Sequence, residues 1–200
     1  MKREEKTRLT KERIINAGIK EFGSKGYSEA SINSISDSGI AKGLIYHNFK
    51  SKDELYIECL RVCFKEITED LSCNESSIDY KIYFNTRLKL LKEKREMAAM
   101  VLEALINPPE KYLDEISQIR KPYDKMNSKY IQNLINSNKL RNNIDVNSAM
   151  KYISVMQDMF NWYCCNPKFE NESFESLISL HEEILPRIFE YMLYGIIREE

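Results

Sequence analysis

The stretch Ser31–Lys52 leaves this chain few ways to fold. Gly39 sits in its middle, and glycine tolerates the left-handed backbone that a sharp exit from a helix needs. Before it, Ser31 is a candidate N-cap and Ile32 and Ile35 fall three apart on one face, which predicts a short helix that must pack on something to stand. After it, Ile40 is placed to plug the turn. A second helix is expected from about Ala41, with Ile45 and Phe49 turned inward at i and i+4. That leaves Lys42, Gly43, Leu44, Tyr46, His47 and Asn48 outside. Two short helices about a tight turn, the second exposing a lysine, a glycine, a tyrosine and a histidine, read as a helix-turn-helix shaped to enter a major groove.

The surrounding positions carry a resemblance. Ala17-Gly18-Ile19, Phe22, Gly26-Tyr27, Ala30-Ser31-Ile32 and Ile35 lead into Gly39-Ile40-Ala41-Lys42-Gly43-Leu44-Ile45-Tyr46-His47, Phe49 and Lys50-Ser51-Lys52-Asp53-Glu54-Leu55. This pattern, over roughly the first quarter of the chain, resembles the DNA-binding domain of the tetracycline-repressor-like (TetR) family of bacterial transcription regulators. Two positions depart from it. Ser36 stands where alanine is usual, and Ala41 where a serine usually caps the recognition helix, so one hydroxyl contact common in the family is missing. The resemblance implies base-edge or groove contacts from Lys42, Gly43, Leu44, Tyr46 and His47. Ser31 and Lys52, both at expected helix starts where free N–H groups gather, are expected to clamp phosphates.

Charge supports a nucleic-acid partner for one end only. The net charge of the whole chain is −1. Up to Lys52 there are eleven Lys and Arg against six Asp and Glu, a balance of +5, which leaves −6 for the remainder. A basic head on an acidic body is the footprint of a double-stranded DNA binder whose body does something else. Five cysteines with no secretory leader point to reduced thiols. The longest apolar stretch, Met97 to Ile106, is broken by Glu103 and too short to span a bilayer, so a soluble, cytoplasmic chain with no membrane contact is expected.

Periodicity predicts an all-α chain of about nine helices and no strand. Residues 1–9 read as a charged arm. Thr10 caps a first helix ended by Gly26, with Tyr27 folding back onto the helix pair. Ser51-Lys-Asp-Glu54 is a capping box opening a long helix with apolar positions at Leu55, Cys59, Cys63, Ile67 and Leu71. Further helices are expected at about 78–93, 96–106 and 123–136, the last begun after an interruption at Pro122. Asp145 caps one running to about Cys165. A final helix starts at Ser173, with a kink at Pro186. The expected division is a helix-turn-helix domain, 1–52, and a helical effector-binding and dimerisation domain, 53–200.

In the body, aromatic and thioether side chains exceed what a plain core needs. Phe84, Met100, Tyr123, Met126, Tyr130, Met156, Met159, Trp162 and Tyr163 are candidate walls of a small-molecule pocket, with Gln157, Asp158 and Asn161 as polar handles. That such a pocket exists is implied mainly by the family resemblance. The last helix has two apolar faces, and the one carrying Ile178, Leu185, Phe189, Leu193 and Ile196 is expected to meet a second copy, forming a four-helix dimer bundle with the helix 145–165. Cys59 with Cys63, and Cys164 with Cys165, read as small buried hydrophobes. No metal motif, phosphate loop or nucleophile elbow is present, so no metal, cofactor or enzyme chemistry is expected.

These features converge on a homodimeric regulator, most simply a repressor released from a palindromic operator by a small, largely apolar effector. Two alternatives stand beside it: a constitutive DNA binder with no effector, and a helical enzyme or binding protein using the body.

Overall fold

The computed structural model describes residues 3–72, 80–164 and 174–196. Among the described residues it is all-helical, with nine α-helices: α1 Arg3–Glu29, α2 Ile32–Asp37, α3 Lys42–Asn48, α4 Lys52–Ser72, α5 Tyr80–Glu93, α6 Arg95–Ile106, α7 Leu113–Asn136, α8 Val146–Cys164 and α9 Phe174–Ile196. A single 3₁₀ turn, Glu110–Tyr112, leads into α7. The expected start of the final helix at Ser173 lies outside the described residues.

Local signals account for most helix ends. Ser51 Oγ accepts the Glu54 N–H at 3.1 Å while the Glu54 carboxylate accepts the Lys50 N–H at 2.6 Å, which opens α4. Asp145 Oδ1 accepts the Ser148 N–H at 2.9 Å at the start of α8. The first helix differs from expectation. It begins at Arg3, with Glu4 and Glu5 in the first turn, where acidic side chains favour the helix dipole, and an Arg8–Glu12 pair one turn on. Thr10 is therefore internal and caps nothing, and its hydroxyl donates to the Lys6 carbonyl at 2.8 Å.

The helical path of α1 breaks at Gly26, which has φ 74° and ψ 168°. Beyond it Tyr27 turns onto α4, not onto α2 and α3, packing against Tyr56 with ring centroids 4.7 Å apart. Pro122 does not divide its segment either. It lies on the exposed side of α7, where the helix loses only the N–H that a proline lacks. The buried stripe Ile116, Ile119, Tyr123, Met126, Tyr130 and Leu134 holds both halves of that helix in one line.

One core runs through the chain, and α4 is its axis. Leu55, Tyr56, Cys59, Leu60 and Cys63 are fully buried, facing α1 on one side and α6 and α7 on the other. Cys59 and Cys63 behave as small hydrophobes. Burial pushes both thiols above their ordinary range; the Cys59 thiol lies 3.5 Å from the Ile15 carbonyl oxygen and the Cys63 thiol 3.8 Å from the Met100 sulfur. The side chain of Cys164, and all of Cys165, lie outside the described residues. α1 crosses α6 closely at Gly23. A Cβ on Gly23 would stand 2.3 Å from the Glu96 carbonyl oxygen.

Candidate nucleic-acid interface

The helix-turn-helix is assembled by burial of a few isoleucines. Ile32, Ile35, Ile40, Ile45 and Phe49 are buried between α1, α2 and α3. Ser31 caps α2, its Oγ accepting the Ser34 N–H at 3.1 Å. Gly39, at φ 89°, turns the chain out of α2, and Ile40 fills the corner. Ala41 precedes α3 with no side-chain cap.

Glu21 of α1, overlooked by sequence reasoning, holds this pair in place. Its buried carboxylate accepts the Ser31 N–H at 3.1 Å, the Ser34 hydroxyl at 2.8 Å and the Lys25 ammonium at 3.0 Å. Burial alone would raise its pKa, but those hydrogen bonds outweigh it and the net shift is downward. An internal anion therefore already sits at the N-terminus of α2. The half-buried Ser31 has its N–H and its acceptor oxygen committed, which leaves only its hydroxyl proton for a phosphate.

The surface of α3 is different. Lys42, Gly43, Leu44, Tyr46 and His47 are all exposed, with Leu44 at 40 % and Tyr46 at 48 %. A Cβ on Gly43 would meet no atom within 4 Å, so nothing inside the fold requires glycine there. Lys42 and the neighbouring Lys50 make no ion pair among the described residues. Two apolar rings or chains and two donors on one solvated helix face is a surface built for contact.

Residues 14–59 match the sequence profile of bacterial regulatory proteins of the TetR family, a span that runs from the middle of α1 through α2 and α3 into the first turns of α4. Over this span the chain is similar to the TetR family. The Staphylococcus aureus regulator IcaR, described as a biofilm operon icaADBC HTH-type negative transcriptional regulator, is 26 % identical over 144 residues, 62 % of this chain and 77 % of its own. The likeness extends to whole folds. SmeT, the repressor of the Stenotrophomonas maltophilia multidrug efflux pump SmeDEF, superposes with a TM-score of 0.61 over 96 % of this chain and 93 % of its own, at 15 % identity. Bacillus subtilis FadR, solved with stearoyl-CoA, gives 0.57 over 87 % and 96 %, at 19 % identity.

Lys52 does not stand free as a phosphate clamp. Its ammonium donates to the Tyr27 carbonyl at 2.7 Å and the Ala30 carbonyl at 3.0 Å, and lies 4.5 Å from the centre of the Tyr27 ring. It braces α4 against the end of α1, because that end presents carbonyls without helical partners and a cation satisfies them.

The body contains a cavity of about 280 Å³ between α5, α6, α7, α8 and α9. Of the expected wall residues Tyr123 and Asp158 line it, as do Gln157 and Asn161. Phe84, Met100, Met126 and Tyr130 are buried in the core instead, and Met156 packs half-buried against it. Met159, Trp162 and Tyr163 point outward, with Trp162 71 % exposed. The walls are more polar than expected. Arg87 grips the Glu182 carboxylate with Nε at 3.0 Å and Nη2 at 2.5 Å, and gives Nη1 to the Tyr123 hydroxyl at 2.8 Å. His181 joins Glu182 to Asn161 through its two ring nitrogens, at 3.0 and 3.2 Å. Burial opposes ionisation of Glu182, yet Arg87 beside it holds its carboxyl well below the usual range. Arg120 is paired with Asp124.

The expected partner face of α9 is also corrected. Leu185, Phe189 and Leu193 are buried in this chain's own core, Phe189 edge-on to Phe84. The side chains of Ile178 and Ile196 lie outside the described residues. What the fold leaves in solvent is Tyr191 and Tyr194 on α9 and a stripe of Tyr152, Val155, Met159, Trp162 and Tyr163 on α8. Among the described residues no helix is long and apolar enough to cross a membrane, and no three His, Cys, Asp or Glu side chains are grouped to hold a metal ion.

Proposed function

We propose that the chain is a homodimeric repressor that reads a palindromic operator through α3 and is released from it by a small ligand entering the body. The observation that carries the reading is the set of five exposed residues on α3, Gly43 above all, whose identities the fold itself does not require. Residues 1–52 act as the head and 53–200 as the body, with α4 the helix packed on both. Two heads on a dimer would engage half-sites about one helical turn or more apart. The second copy docks on the exposed stripe of α8, since Val155, Met159 and Trp162 form one apolar face too large for an isolated surface helix.

The cavity suits a compact ligand. Arg87 is neutralised by Glu182 and Arg120 by Asp124, so Asp158 is the one charge on its wall without a partner among the described residues. Leu102, Leu105 and Ile131 supply an apolar side. A small organic cation with an apolar flank meets both requirements, whereas a long acyl chain would outgrow the space. No such chemistry calls for enzymatic turnover.

The test is selection of bound duplexes from a random pool, then titration of the winner at rising salt. A palindromic consensus and a steep loss of affinity with salt are expected, because lysines and arginines displace condensed counterions. Recovery of no consensus would end the reading.

A further inference from the structure

Where α1, α4 and α6 meet, the carboxylate of Glu103 is buried in a contact that leucine would make at less cost. Its Oε1 accepts the Tyr27 N–H at 2.9 Å, immediately past the break at Gly26. Its Oε2 has no hydrogen-bond partner, and neither does the buried hydroxyl of Tyr56, on which the Glu103 charge acts. From α4, Lys52 faces the same junction with its ammonium on the Tyr27 and Ala30 carbonyls. Beyond Tyr27, Asp53 accepts the Tyr27 hydroxyl at 2.5 Å and the Lys111 ammonium at 3.0 Å, and the Tyr112 ring packs edge-on against Tyr27. Tyr27 is thus held at its N–H by the body and at its carbonyl and hydroxyl by the first turn of α4. Glu103 is the body's only polar hold on the Tyr27 backbone among the described residues.

We propose that Glu103 is a positioning residue, a latch that seats the DNA-reading head on α6 and takes up a proton as it does so. The unpartnered Oε2 is the atom that would carry the proton. Burial raises the Glu103 carboxyl to about 7, with the Tyr27 N–H and the Lys52 charge pulling the other way. If α1 lifts from α6, water reaches the carboxylate and the proton leaves more readily. The seated arrangement therefore binds the proton more tightly, so seating is favoured as pH falls through neutrality and opposed as pH rises. On the repressor reading the seated head is the operator-binding form. Only the operator arm of the test rests on that reading.

Operator affinity is measured for full-length His47→Gln and His47→Gln/Glu103→Gln proteins over roughly pH 6 to 8, the shared His47→Gln background removing the histidine of the groove-facing helix. The single variant should lose affinity at least about threefold as pH rises, and the double variant should keep the low-pH affinity throughout. A flat single variant, or an unchanged slope in the double, overturns the proposal. Independently of DNA, amide exchange at Tyr27 in the wild type should lose protection as pH rises, relative to Glu103→Gln. Equal protection in both proteins at every pH overturns it even if no operator is found.

Discussion

Gly43 and Gly23 lie within helices, and adding the same methyl group to each should have opposite consequences. At Gly43 a Cβ has open space, so Gly43→Ala leaves every internal contact intact. Alanine is better than glycine inside a helix by about 0.8–1.0 kcal/mol, and up to that amount should appear as added stability. At Gly23 the Cβ would stand 2.3 Å from the Glu96 carbonyl oxygen and 2.6 Å from the Glu96 Cα. Both are backbone atoms, which no rotamer change can move aside. The crossing of α1 on α6 must open, at an overpacking cost of about 1–3 kcal/mol that exceeds the helix gain in most of its range. Urea unfolding followed by circular dichroism separates the two. For 200 residues each kcal/mol moves the thermal midpoint by about 2–4 °C, so a melt resolves the same difference. Gly43→Ala should then fail only on DNA, losing about tenfold in operator affinity, or about 1.4 kcal/mol, because its methyl faces the groove. A Gly43→Ala protein that is less stable than wild type, or that binds the selected operator unchanged, refutes the assignment of α3. A Gly23→Ala protein as stable as wild type refutes the closeness of the crossing.

Three further outcomes are expected. Trp162→Lys or Met159→Glu should give folded monomers by light scattering, whereas Phe189→Ala should cost about 3–5 kcal/mol of stability, because that ring is buried within one chain; a dimeric Trp162→Lys protein would remove α8 as the partner face. Lys42→Ala should weaken operator binding and relax its sequence preference with the melt unchanged, while Lys52→Ala should lower the melt of the head, since its ammonium holds two backbone carbonyls; equal effects of both on DNA alone would restore Lys52 as a phosphate contact. The ionised Glu182 contributes stability above its unfolded value near 4.5 that is lost as pH falls toward its depressed folded value. Glu182→Gln should therefore cost about 3–5 kcal/mol at neutral pH by leaving Arg87 buried without its partner, and should flatten the acid limb of the stability curve; an acid limb unchanged by the substitution would sink that account.

What sequence alone could determine was whatever is settled within one or two helical turns. Ser31 with Ser34, Ser51 with Glu54 and Asp145 with Ser148 are caps whose partners lie three residues away. Gly26 and Gly39 mark left-handed turns that few other residues tolerate. The spacing of Ile32, Ile35, Ile45 and Phe49 assigned the inner face of the helix-turn-helix and, by subtraction, its outer face. Where a helix is apolar on two sides, spacing could not say which side the chain covers itself. Both α8 and α9 are of this kind, which is why Phe189 was expected outside and is inside, and Trp162 the reverse. Lys52 was misjudged for a related reason, since the carbonyls that capture it belong to residues 25 and 22 positions earlier. The polar cavity and the Glu103 junction are products of tertiary structure in the same sense. Their groups come from helices far apart in sequence, and a carboxylate's surroundings, not its identity, decide whether it is a solvated charge or a buried one.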